Sequence, residues 1–261
     1  MKPQLRDGFE WVEREDGSAI VCRPLQSCAH HIFTTRRWAL GSADPNDGEA
    51  WSRVAAGLDV APDRLLRLHQ VHGASVVVQR TGAPLEHARP AADIIVSDDP
   101  GVAIAIQTAD CVPLLIADSV TGAVGAAHAG WRGLAAGVPQ AAVRAMHEQF
   151  GAKARDLIVA IGPAISAARY EVDGQVRSRF EAAFDASRID RWFPRQTRPG
   201  HWEFDGWSAA VDQVVESGVP GARIYVAGVC TSEHPDFFCS YRRDGSAAGR
   251  MAAVVRRRLR P

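Results

Sequence analysis

No apolar run in this 261-residue chain approaches the about 20 residues that a membrane-spanning helix needs. Net charge is missing as well: 30 Lys and Arg balance 30 Asp and Glu. A balanced surface has no bulk attraction for nucleic acid or an anionic membrane, so neither is expected as a partner. The basic run Arg256-Arg-Arg258 with Arg260 reads as a solvated end. Cysteine is sparse and odd in number, at positions 22, 28, 111, 230 and 239. Met1-Lys-Pro-Gln-Leu-Arg-Asp7 lacks the apolar core of an export signal. The expectation is a cytoplasmic chain with reduced thiols, free to bind metal or react.

Common catalytic motifs are also missing. No GxGxxG follows a strand and no GxxxxGK[ST] occurs, which removes the usual dinucleotide and NTP loops. There is no Gly-x-Ser-x-Gly elbow. The H-x-E…P-C-x-x-C signature of the zinc deaminases is absent. Nine histidines include no His-x-His, which argues against a multi-copper cluster.

What remains is a dense central block. Val102–Ile106, Val112–Ala117 and Gly122–Ala127 are three apolar runs suited to buried strands. Gly-Trp-Arg-Gly133 leads toward a helix over Val138–Phe150. Short strands are expected at Phe9–Val12 and Ala19–Arg23 about an Asp16-Gly17 turn. Others are expected at His30–Arg36, Ala74–Gln79, Leu157–Ile161 and Arg223–Val229. Further helices are expected at Glu49–Leu58, Val176–Phe184 and Trp207–Ser217. Residues 37–48, 82–90 and 191–200 read as loops. Strands and helices mix without βαβ alternation, and no linker interrupts them, so one α+β domain over residues 1–261 is expected.

Three residues in this frame can carry chemistry together: His72, Cys111 and His128. Catalytic zinc takes three protein ligands from this donor class and keeps a fourth position open. Glycines at 73, 130 and 133 permit close backbone approach beside two of them. A Cys111–His nucleophilic pair is the alternative use of the same residues. Arg36 and Arg132 are candidates to grip an anion, with a surface role as the alternative. Tyr241-Arg242-Arg-Asp-Gly245 adds a basic and aromatic cluster for which a planar ligand is one use and packing another.

Gln70-Val-His-Gly73, Thr108-Ala-Asp-Cys111 and His128-Ala-Gly-Trp-Arg-Gly133 together resemble a family named polyphenol oxidase or multicopper laccase, also called YfiH-like or peptidoglycan editing factor. Ile161-Gly-Pro163, Tyr170-Glu-Val172, Ser240-Tyr-Arg-Arg-Asp244 and Gly249-Arg-Met251 are similar to it as well. The resemblance implies a layered α/β/β/α sandwich with mixed sheets. It implies zinc on His72, Cys111 and His128, with copper the less suited metal. It implies purine nucleoside phosphorolysis, acting on adenosine, inosine, guanosine and 5′-methylthioadenosine, with adenosine deamination beside it. Arg36 falls on the family's arginine after a Ser/Thr pair. Gln70, Arg132, Tyr241 and Arg242 are the expected substrate contacts. The partners implied are nucleosides and phosphate, with the chain a monomer or weak homodimer. The alternatives are a copper-dependent phenol oxidase and a weakly catalytic binding protein of cell-wall quality control. One departure stands out: Arg37-Trp-Ala-Leu-Gly-Ser-Ala-Asp-Pro45 replaces the family's glycine-rich loop and Ser-Leu-Asn-Leu-Gly segment.

Overall fold

The computed structural model describes residues 1–41, 47–85 and 88–259. Most of the departing segment, residues 42–46, therefore lies outside the described residues, as do residues 86–87 of the 82–90 loop and the last two residues, Arg260 and Pro261.

Fifteen strands are described, in chain order β1 (Phe9–Arg14), β2 (Gly17–Cys22), β3 (Ala29–Thr34), β4 (Leu65–Arg67), β5 (Val76–Gln79), β6 (Ile94–Ser97), β7 (Ala103–Thr108), β8 (Val112–Asp118), β9 (Val124–Ala129), β10 (Leu157–Ile161), β11 (Glu171–Asp173), β12 (Gln196–Arg198), β13 (His201–Glu203), β14 (Ile224–Val226) and β15 (Met251–Arg257). The helices are α1 (Arg23–Gln26), α2 (Asp47–Gly57), α3 (Trp131–Ala135), α4 (Val138–Phe150), α5 (Gly174–Glu181), α6 (Ala186–Trp192), α7 (Gly206–Glu216) and α8 (Tyr241–Asp244). Two six-stranded mixed sheets carry the fold, ordered β1-β2-β3-β15-β7-β4 and β14-β10-β8-β9-β6-β5. A small sheet, β11-β13-β12, stands apart from them.

The layering follows from alternation along the strands. In β7, Ile104 and Ile106 face the second sheet, while Ala103 and Ala105 join the core under α2. In β8, Leu115 and Ala117 face the first sheet, while Leu114 and Ile116 face the helices beyond. Strands buried on both faces cannot alternate with polar residues, which is why β6, β8, β9 and β10 read as continuous apolar runs. The outer layers have helical spacing. On α4, Val138, Ala141, Ala142, Ala145 and Met146 form one stripe against the second sheet. On α2, Trp51, Val54 and Ala55, with Leu58 just past its end, do the same for the first. The order is helix, sheet, sheet, helix. Truncating Met146 or Leu58 to Ala would cost about 2–5 kcal/mol by the cavity left behind.

The expected α+β mixture is found, with three local corrections. Residues 191–200 are not simply a loop: α6 runs to Trp192 and β12 starts at Gln196. The Arg223–Val229 strand shrinks to Ile224–Val226, because Gly228 turns left-handed (φ 67°). The strand after Gly122 extends to Ala129, so His128 lies inside β9 instead of beyond it.

The chain crosses between the two large sheets at neighbouring points. β4 and β7 are parallel partners in the first sheet. The chain leaves each to enter the second sheet, as β5 after β4 (with 68–75 between) and as β8 after β7 (with 109–111 between). Both crossings therefore lie at the same end of the sandwich.

Candidate metal centre

His72 lies on the first crossing, Cys111 on the second, and His128 near the end of β9 opposite Pro113. Their ligand atoms all lie within 4.8 Å of one another. The rings of His72 and His128 meet edge to face, with centroids 4.9 Å apart. Burial is graded: His128 is buried, Cys111 half-buried and His72 exposed. The cluster is closed on the protein side and open on one side.

Two residues of the crossings have left-handed backbones without being glycine, His72 (φ 59°) and Asp110 (φ 86°). Each such residue costs on the order of 1–3 kcal/mol, and surrounding contacts must hold it. Asp110 is held by the C-terminal segment. Its carboxylate accepts from Thr231 Oγ1 at 2.6 Å, Ser240 Oγ at 3.0 Å and the Arg242 backbone N–H at 2.7 Å. His72 is held by Asp93, whose oxygens accept from the backbone N–H groups of Val71, His72 and Gly73 at 3.2, 3.1 and 2.7 Å. The same carboxylate lies 2.8 Å from His128 Nδ1. Glycine is required at 130: a Cβ there would lie 2.9 Å from both Cys111 Sγ and His72 Cδ2.

The electrostatics are those of a thiolate beside an imidazolium. Burial pushes the Cys111 thiol up, but the His128 charge and hydrogen bonds from His128 and His72 outweigh it, and its pKa falls below the ordinary thiol range. Burial pushes His128 down, but Cys111 and Asp93 outweigh it, and its pKa rises. Burial likewise opposes ionisation of Asp93, yet the His128 and Gly73 hydrogen bonds hold its pKa below the usual value.

A metal fits these residues. Two imidazoles and a thiolate converge within 4.8 Å, the donor set suits zinc or copper, and Gly130 leaves the space beside Cys111 and His72 clear.

The other residues singled out from the sequence divide into two groups. Arg242 is brought to the site: its backbone N–H binds Asp110, and its guanidinium lies 4.9 Å from the Tyr170 ring centroid. Arg132 stacks on Trp131 at 4.3 Å and is exposed at the start of α3. Tyr170 joins them: burial, then the nearby Cys111 charge, hold its phenol in the neutral form, with Arg242 and Arg132 acting in the other direction. Gln70 has a bracing role, its amide exchanging two hydrogen bonds with the backbone of Gln107 at 2.8 and 2.7 Å. Tyr241 is exposed on α8. Arg36 binds the Pro235 carbonyl with its guanidinium and the Phe237 carbonyl with its backbone N–H. It lines a surface cavity of about 460 Å³ with Arg37, Pro235, Asp236 and Phe237, and none of the three ligand residues lines that cavity.

Sequence reading missed Asp93, Thr231, Ser240 and Tyr170 as residues of the site. A carboxylate opening the apolar Ile94–Val96 run was the available signal for Asp93, since an acidic residue at a buried strand needs a partner. Thr231 and Ser240 carried none, because they reach Asp110 across more than 120 residues.

The comparisons with known proteins follow this geometry. Residues 41–258 match the family model described as multi-copper polyphenol oxidoreductase laccase. The chain belongs to that family. A purine nucleoside phosphorylase of Deinococcus radiodurans is 36% identical over 239 residues, 86% of this chain and 88% of the relative. The crystal structure of the protein YfiH of Bacillus licheniformis superposes with a TM-score of 0.85 at 25% identity, over 97% of this chain and 100% of that one. That of YlmD of Geobacillus stearothermophilus gives 0.83 at 30% identity, with the same coverage. The matched span holds all three ligand residues and Asp93; Arg36 lies outside it. No helix among the described residues is long and apolar enough to cross a membrane.

Proposed function

We propose that this chain is a zinc-dependent purine nucleoside phosphorylase. Its reaction joins phosphate to C1′ of adenosine, inosine, guanosine or 5′-methylthioadenosine and releases the free base, with adenosine deamination as a side activity. The observation that carries this reading is the three-ligand cluster, closed at His128 and open at His72, whose Cys111 charge acts on Tyr170 together with those of Arg242 and Arg132. The phosphorylase names of the relatives support it.

Each residue has a task. His72, Cys111 and His128 would hold the zinc, which would supply Lewis acidity to polarise an oxygen or nitrogen of the reactants and ease deprotonation of water. Arg242, over the Tyr170 ring, and Arg132, at the start of α3, carry guanidinium groups suited to hold phosphate for attack on C1′. As a phosphate oxygen bonds to C1′, the C1′–N9 bond breaks, its electron pair stays with the base, and the sugar gains oxocarbenium character. Tyr170 stays a neutral phenol and offers a hydrogen bond to the departing base. Arg36, in its separate cavity, binds Pro235 and Phe237 of the segment that also carries Ser240 and Arg242, and is a further phosphate candidate.

Copper is the weaker fit: nine histidines with no His-x-His pair argue against a multi-copper cluster. We place the enzyme in the cytoplasm, as a monomer or weak homodimer.

The test is incubation with adenosine, with and without phosphate, followed by chromatography. Adenine formed only with phosphate is the expected result. Inosine formed without phosphate would report the deaminase activity. No product in either tube would overturn the reading in favour of a binding protein.

A further inference from the structure

We infer that Asp93 is the positioning residue that sets both histidine ligands, so that one buried carboxylate pre-forms the metal site. The inference rests on the metal reading above and concerns what holds that site in shape.

Asp93 is fully buried, immediately before β6. A buried carboxylate without partners is too costly to keep, so each of its contacts is a structural commitment. It has four. Oδ2 accepts from the backbone N–H groups of Val71 and Gly73, and Oδ1 accepts from that of His72. Three consecutive N–H groups pointing at one anion form a concave nest. The chain makes that curve only if the middle residue turns left-handed, and His72 does so at φ 59°. A left-handed histidine is costly alone, and the ion–amide contacts offset that cost.

The fourth contact acts on the other ligand. A carboxylate only accepts, so His128 Nδ1, 2.8 Å from Oδ1, must carry the proton. Nε2 is then the atom left for the metal, and the ring is fixed in plane. The backbone adds a strut, since the His128 N–H donates to the Asp93 carbonyl at 2.8 Å. His72 and His128 are 56 residues apart in sequence, yet one side chain orders both. Cys111 is placed separately, by the Asp110 clamp.

The test compares Asp93→Asn with a control that loses a buried carboxylate elsewhere. Asp118→Asn serves: that side chain is equally buried, and it accepts from the Val120 N–H at 2.9 Å and the Thr121 hydroxyl at 2.6 Å in the β8–β9 turn. Zinc affinity is measured by competition with a chelator, and thermal stability on the metal-free proteins. Asp93→Asn places N–H groups against the donors of the nest, so zinc affinity should fall about 10–100-fold. Asp118→Asn should lower stability and leave zinc affinity unchanged. Equal zinc affinity in wild type and Asp93→Asn would overturn the inference. So would a loss that Asp118→Asn reproduces, because it would then be a consequence of stability alone. Should the Asp93 variants fail to fold, nitrogen NMR of the zinc-loaded wild type decides: a proton on His128 Nδ1 supports the inference, and a proton on Nε2 overturns it. A wild type that takes up no zinc would overturn the metal reading itself, a failure distinct from that of Asp93.

Discussion

Two histidine–cysteine neighbourhoods lie in this fold, and they behave in opposite ways. The first is Cys111 with His72 and His128. The second is Cys22 with His31, on neighbouring strands of the other sheet. His31 is 4% exposed and Cys22 fully buried. His31 Nε2 accepts the Cys22 backbone N–H at 2.8 Å, and no carboxylate takes part in that contact. Burial therefore decides: the Cys22 thiol is pushed up to about 11 and His31 down to about 4, and both stay neutral. At the metal centre the same residue types are buried beside Asp93 and each other, and both shifts reverse. Residue type alone does not make a site. An anion in contact with the imidazole does, because it makes the charged form the cheaper one.

The comparison has consequences of decreasing size. Largest is the loss of a ligand. Cys111→Ala or His72→Ala should abolish zinc binding and lower kcat/KM by about 10³-fold, the several kcal/mol that a Lewis acid contributes. Cys22→Ala should leave zinc content and turnover intact. Zinc content by elemental analysis, with steady-state kinetics, separates the two.

Next is acid stability. The pKa of His31 is lower folded than unfolded, so protonation favours the unfolded chain. Its contribution is complete above the unfolded value of 6.5 and is lost as pH falls from there toward about 4. The full loss is about 3 kcal/mol. In denaturant titrations, His31→Gln should flatten stability against pH across that interval, whereas substitutions at His128 should not.

Smaller is the pH dependence of metal uptake. The metal-free centre holds a thiolate and an imidazolium, and zinc must displace the His128 proton. Zinc affinity should therefore rise about tenfold per pH unit between the lowered pKa of Cys111 and the raised pKa of His128. It should level off above that. An affinity independent of pH over that interval would show that no proton is displaced.

The sequence made the second neighbourhood silent and the first partly legible. Glycines beside His72 and His128, and strand ends at Cys111, marked the ligands. The apolar runs of β7, β8 and β9 placed them on neighbouring strands, and the 3.6-residue spacing of α4 gave the outer layer. What could not be read were contacts between segments far apart in the chain. Asp93 meets His128 across 35 residues, and Asp110 meets Ser240 across 130. Local pattern carries no record of such pairs: Asp93 meets His128 because β6 pairs with β9 in one sheet, and Asp110 meets Ser240 because the C-terminal segment returns to the β7–β8 crossing. Gln70 shows the converse: it lies in a legible motif, yet its amide is committed to the Gln107 backbone.

The central claim is that the His72–Cys111–His128 centre holds the zinc that phosphorolysis needs. The direct measurement is adenosine phosphorolysis by the purified protein before chelation, after chelation and after zinc is restored, with zinc per chain determined at each stage. Turnover that falls with zinc and returns with about one zinc per chain is the expected result. Undiminished phosphorolysis by zinc-free protein would contradict the account.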